Sequence, residues 1–175
     1  MAKVFIGGGL NSTPESEDYI FAKDLGKELA ERGFTVVSTA YLGVAEATFI
    51  GASLGNDNSK RIAIGCDEVN LPRNKSYTDL IIADNYFDMK MKFCTNADAF
   101  VFLPGYFDTL SIIFIVLQLK QLKLMGKKPV ICVGELLEEM FNNLSFYNDE
   151  VLAFYEKGIF VNTVDGVIDN LKNFF

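Results

Sequence analysis

Short runs of β-branched and apolar residues alternate along the chain with longer amphipathic segments. That alternation is how a parallel sheet with crossover helices is written. The run KVFIGG reads as a first strand ending at Gly7, Gly8 and Gly9, and STPESEDYIFAKDLGKELAERGF as the helix after it. Thr13 is placed as the N-cap and Pro14 at the first helical position, with Glu15 and Glu17 in the first turn and Gly33 just past the end. Ile20, Phe21, Leu25 and Leu29 recur at helical spacing, so that face is expected against the sheet. A strand TVVST (35–39), a helix over 44–54 and a strand RIAIG (61–65) follow, and residues 66–78 form the longest loop. Then come a strand LIIAD, a short helix around 86–96 and the most apolar strand, AFVFLPG. The long segment 108–126, a strand PVICVG and a helix over 135–146 come next. A helix over 149–157, a strand GIFVN and a helix from about Val164 close the chain. The expected fold is α/β: a Rossmann-like three-layer sandwich with a mainly parallel sheet flanked by helices, in a single domain over 1–175.

One segment is ambiguous by pattern alone. LSIIFIVLQL (110–119) is rich in β-branched and aromatic residues, which favour a strand locally. A helix is expected nonetheless, because parallel strands on either side need a crossover and the segment runs into KQLKLMGKKP. A helix apolar on nearly all sides needs cover on both faces, and a homodimer interface is the simplest cover.

Composition narrows the function. Half of the 175 residues are hydrophobic and 22% are charged, which excludes a disordered chain. The net charge is -7, and only Lys90, Lys92 and the group Lys120, Lys123, Lys127, Lys128 offer local basic character. No nucleic acid partner is expected on that footprint. Cys66, Cys94 and Cys132 are widely spaced and sit in or beside apolar segments, so they read as buried free thiols with no zinc-site spacing. The absence of histidine rules out His-based triads and His-ligated metals. MAKVFIGGG breaks into glycine too early for a signal sequence, and the longest apolar run, 112–117, is too short to span a bilayer. A cytoplasmic protein with no membrane contact is expected.

In an open parallel sheet, ligands bind at the carboxyl ends of the strands beside helix N-termini. Three segments converge there: Gly7 to Gly9, Ser38 to Gly43, and Pro104 to Thr109. Glycines let a ligand approach the backbone, and free amides with the helix dipole favour an anion such as phosphate. The same glycines also serve as tight turns of any α/β fold.

Several landmarks, in order, resemble the LOG-like family, members of which carry the label lysine decarboxylase-like and act as cytokinin riboside 5'-monophosphate phosphoribohydrolases. VFIGG and AKDLGKELAERGFTVV look like the family's first strand, helix and second strand. TDLIIADNYFDMKMKFCTNADAFVFLPG is similar to the stretch that holds its arginine-lysine pair and leads to its PGGxGTxxE motif, and QLKLMGKKPV closes the following helix. The resemblance runs from strand one to about Val133. It implies a ligand-binding set of Gly7, Gly8, Gly9, Gly43, Lys90, Pro104, Gly105 and Thr109, no metal, no cofactor, and a nucleotide or nucleoside-like ligand.

The motifs depart from the family where its chemistry sits. Pro104, Gly105 and Thr109 stand as in PGGxGTxxE, but Tyr106 and Asp108 replace two glycines and Ile112 takes the place of the glutamate. Met89 stands where the arginine is expected, beside Lys90, and only Gly43 remains of the glycine-rich loop after strand two. Hydrolysis of a base from ribose 5-phosphate builds positive charge on the sugar, which a carboxylate stabilises and an isoleucine does not. The expected function is therefore ligand binding with the phosphoribohydrolase activity lost or altered. The alternatives are an N-glycosidic hydrolase or transferase with relocated carboxylates, Glu46 or Asp108, and a non-catalytic dimeric interaction module. Glu46 and Asp108 are also what a helix N-terminus favours for itself. Tyr41 and Tyr106 could equally stack on a base or pack.

Overall fold

The computed structural model describes residues 1–175. Seven strands form one sheet: β1 (Lys3–Gly7), β2 (Thr35–Thr39), β3 (Arg61–Cys66), β4 (Asp79–Ala83), β5 (Ala99–Phe102), β6 (Val130–Val133) and β7 (Ile159–Val161). Their order is β4-β3-β2-β1-β5-β6-β7, and every neighbouring pair is parallel. The chain winds outward from β1 to β4, then crosses back to β5 on the other side of β1. The order reverses between β1 and β5, and this is the switch point at which such sheets open a crevice.

Period-two alternation sorts the strand residues between two layers. Val4, Ile6, Val36, Val101 and Ile131 face a core shared with α1 (Glu17–Glu31), α2 (Val44–Gly55) and α7 (Val164–Lys172). Phe5, Val37, Ile64, Phe100, Phe102 and Cys132 face the other, with α3 (Tyr86–Thr95), α4 (Phe107–Gln121) and α5 (Glu135–Leu144). The expected three-layer α/β sandwich is what forms. The 12-residue connection 67–78 carries no helix, so the edge strand β4 leaves Leu80 and Ile82 exposed. No helix is long and apolar enough to cross a membrane.

The first helix departs from expectation twice. It starts at Glu17 with Ser16, not Thr13, as N-cap. Residues 13–16 are spent on a turn in which the Ser16 N–H donates to the Thr13 carbonyl at 2.8 Å and the Thr13 N–H to Ser16 Oγ at 3.1 Å. The first-turn acids are therefore Glu17 and Asp18. The buried face is Tyr19, Ala22, Leu25, Gly26, Leu29 and Ala30, while Ile20 is exposed. Contact with α2 sets this rotation: a Cβ on Gly26 would lie 2.1 Å from the Thr48 carbonyl oxygen, and one on Gly51 1.8 Å from that of Lys23. Backbones that close must be placed by the small residues, and the large apolar ones follow.

The ambiguous segment is helical as the crossover demands. Ile112, Ile113 and Val116 of α4 are buried against the sheet. The chain itself supplies part of the outer cover, through α5 and α6 (Asp149–Lys157): Phe114 lies 6.1 Å from Phe141, which lies 4.7 Å from Phe154. Phe114 is still 45% exposed.

Candidate functional site

The switch point brings the three predicted loops into direct contact. The Gly9 N–H donates to the Pro104 carbonyl at 3.1 Å, the Val44 N–H to the Gly9 carbonyl at 3.0 Å, and Thr109 Oγ1 to the Gly8 carbonyl at 3.2 Å. Glycine is required at two of these positions. Gly43 has φ +70 and a Cβ there would lie 2.2 Å from the Gly9 oxygen, and one on Gly105 would lie 2.2 Å from Thr109 Oγ1. Gly7 stays inside β1, paired with Phe102. Much of the glycine pattern thus serves loop against loop.

At the rim, Tyr106 is the N-cap residue of α4 and no side chain caps the helix, so its first-turn amides lack a side-chain partner. Tyr106 is 59% exposed and forms one wall of a cavity of about 340 Å³ together with Gly9, Ser12, Asp18, Pro104 and Gly105. A second cavity, of about 770 Å³, adjoins it between Glu17, Asp18, Pro104, Gly134, Glu135 and Asn162. Asp18 and Pro104 line both. The Asp18 carboxylate accepts from Ser12 Oγ and from the Tyr19 N–H at 3.0 Å. Sequence reading missed Asp18. Its signal was there, an acid in the first turn after the β1 loop, but placing the helix start at Thr13 moved the first turn upstream.

The remaining predicted residues are scattered. Lys90 is buried, and its Nζ donates to the Asp108 carbonyl at 2.9 Å while lying 5.1 Å from the Tyr86 ring centre. It ties α3 to the first turn of α4. Tyr41 is buried too. Its Oη donates to the Cys66 carbonyl and accepts from the Cys66 N–H, both at 3.1 Å, and burial raises its phenol above the ordinary value. It clamps the loop after β2 onto β3. Glu46 turns toward α1, 3.5 Å from Tyr19 Oη. Burial, then the Glu46 charge, raise the Tyr19 phenol. Glu46 thus sits in the α1/α2 layer and Asp108 in the α3/α4 layer, and the structure does not pair them. Ile112, at the family's glutamate position, is 3% exposed and part of the core. All three cysteines are free and buried as expected, and burial pushes Cys94 up to about 11 and Cys132 to about 12. No group of three or more His, Cys, Asp or Glu side chains is placed to hold a metal ion.

A family model described as "Possible lysine decarboxylase" matches residues 28–166. The chain belongs to this family. The match for this LOG-like family starts later than the resemblance read from the sequence, inside α1, and extends beyond Val133 into α7. No curated protein matches the sequence. Among solved structures, the molybdenum cofactor binding protein from Rippkaea orientalis aligns with 99% of this chain and 96% of its own, at 20% identity and a TM-score of 0.76. The molybdenum cofactor carrier protein from Chlamydomonas reinhardtii aligns with 99% of this chain and 98% of its own, at 18% identity and a TM-score of 0.70. DNA processing protein A from Streptococcus pneumoniae aligns with 97% of this chain and 61% of its own, at 14% identity and a TM-score of 0.64. At these identities the likeness is one of fold.

Proposed function

We propose that this LOG-like protein binds a nucleotide or nucleoside-like ligand at the β1/β5 switch point and does not hydrolyse it. The observation that carries the reading is Ile112: the position of the family's glutamate is filled by an apolar side chain sealed into the core, so the oxocarbenium-like charge of base release has no partner there. Binding is supported by the 340 Å³ cavity, which offers an exposed ring in Tyr106, a hydroxyl-accepting carboxylate in Asp18 and the uncapped start of α4. Two structural neighbours are described as molybdenum cofactor binding and carrier proteins, so binding or carrying a ligand has precedent in this fold. The partner we propose is a second copy of the chain. Phe87 on α3 and Phe107 at the start of α4 are 80% and 89% exposed, large apolar side chains that a second copy would cover.

One observation favours a second reading, an N-glycosidic hydrolase or transferase with a relocated acid. Asp18 lines both cavities, whereas Glu46 and Asp108, the acids expected from the sequence, line neither.

The test combines calorimetric titration of AMP and adenosine with chromatographic detection of free base from a panel of nucleoside 5'-monophosphates and nucleosides. Saturable binding that Asp18→Asn or Tyr106→Ala weakens, without base release, supports the binding protein. Base release abolished by Asp18→Asn supports the relocated acid. Neither binding nor release would overturn both and leave an interaction module.

A further inference from the structure

A separate site lies at the opposite edge of the sheet, where β6 and β7 begin. Lys120, Lys127, Lys128 and Lys157 surround a cavity of about 240 Å³, with Phe154 and Phe174 in its wall and no carboxylate among its lining side chains. None of the four lysines takes part in a salt bridge; those of this protein involve Lys27, Arg32, Lys60, Arg73, Lys92 and Lys172. In a chain of net charge -7, four lysines lining one cavity with no carboxylate partner stand out from the rest of the surface. Two are held in place by backbone: Lys120 Nζ donates to the Lys128 carbonyl, and Lys128 Nζ to the carbonyls of Cys94 at 3.1 Å and Ala97 at 2.5 Å. Burial lowers the Lys120 ammonium from its ordinary value.

This basic cavity opens into an apolar groove of about 900 Å³ between α4, α5 and α6, and Lys120, Phe154 and Lys157 line both. The groove walls are Phe114, Ile115, Leu117, Phe141, Val151 and Phe154. Its one carboxylate, Glu150, is already engaged by Gln121 Nε2 at 2.6 Å. The groove thus joins six apolar side chains to the lysine-lined cavity, with Ser111, Gln118, Gln121 and Glu150 also in its lining.

We propose that this composite site binds a single-chain fatty acid, with its carboxylate among Lys120, Lys127 and Lys157 and its hydrocarbon tail along the α4–α6 groove. The charges select the head: lysines without a carboxylate partner attract an anion and repel a cation. The groove selects the tail, since each methylene taken out of water is worth roughly fourfold in affinity. A second copy fits the groove less well. A two-fold contact sets the same patch against itself, so four more lysines would arrive against a single carboxylate per copy, Glu150.

The test is calorimetric titration of the full chain with octanoate, decanoate, acetate and decyltrimethylammonium. Decanoate is expected to saturate one site and to bind about fifteenfold tighter than octanoate, while acetate and the cationic amphiphile give no saturable binding. The exposed pair Lys127→Glu with Lys157→Glu, and separately Phe114→Asp, should each weaken decanoate at least tenfold with the far-ultraviolet circular dichroism unchanged. Equal binding of the cation, no effect of charge reversal, or no saturable decanoate binding by the wild type would overturn the proposal. So would light scattering that shows a dimer split by Phe114→Asp with decanoate still unbound, because the groove would then belong to a second copy.

Discussion

At position 112 the backbone of α4 presents its side chain to the sheet, among the core residues of the α3/α4 layer. Restoring the family's glutamate by Ile112→Glu is therefore expected to bury an unpaired carboxyl, at a cost on the order of 3 kcal/mol, without creating base release. A urea melt and the chromatographic assay check the two halves, and an active, undiminished variant would refute the account. Thr39 offers the opposite case, since its buried Oγ1 has no hydrogen-bond partner. Thr39→Val removes that unsatisfied hydroxyl and should raise stability by about 1 kcal/mol, read as a higher denaturant midpoint at constant slope. Residue types carried much of the site's outline: Pro104, Gly105 and Thr109 do meet Gly8 and Gly9. They did not reveal that Lys90 and Tyr41 are spent on tying elements together, because a side chain's partner lies elsewhere in the chain.

The closest element-to-element contact is between α1 and α2, where Gly26 and Gly51 bring two backbones together. Gly51→Ala would set a methyl group 1.8 Å from the Lys23 carbonyl oxygen, so the helices must separate. A loss of roughly 1–3 kcal/mol is expected, and a wild-type melting curve would show that the contact is looser than described. The order and kind of elements were legible because apolar periodicity is a local property, and even 110–119 yielded to the rule that parallel strands need a crossover. The start and buried face of α1 were not. Thr13 and Pro14 are good start signals, but a turn closed by Ser16 uses them up, and the face is chosen by glycines that no hydrophobic count registers. That displacement hid Asp18 from the candidate site.

Across the whole molecule, the buried thiols give stability a defined pH dependence. Cys94 and Cys132 are pushed up to about 11 and about 12 from 9.0, so each stays protonated in the fold at a pH where the unfolded chain ionises. Their contribution is present in full below pH 9.0 and is lost as pH rises through about 11 and about 12. Burial of Tyr19 and Tyr41 acts in the same direction. The melting temperature should accordingly fall from pH 8.5 to pH 10.5, roughly the span set by the cysteine reference value, and a flat or rising curve would contradict the buried placement. The sequence by itself determined the α/β class, the family, the three converging loops and the missing glutamate, because these follow from local pattern and from residue identity at motif positions. Only the tertiary structure decided that the sheet is wholly parallel with its switch point between β1 and β5, that Asp18 and Tyr106 share the cavity there, and that four lysines without a salt bridge lie beside a groove walled by apolar side chains at the far edge. Those are relations between residues distant in the chain, and packing is what brings them within reach of one another.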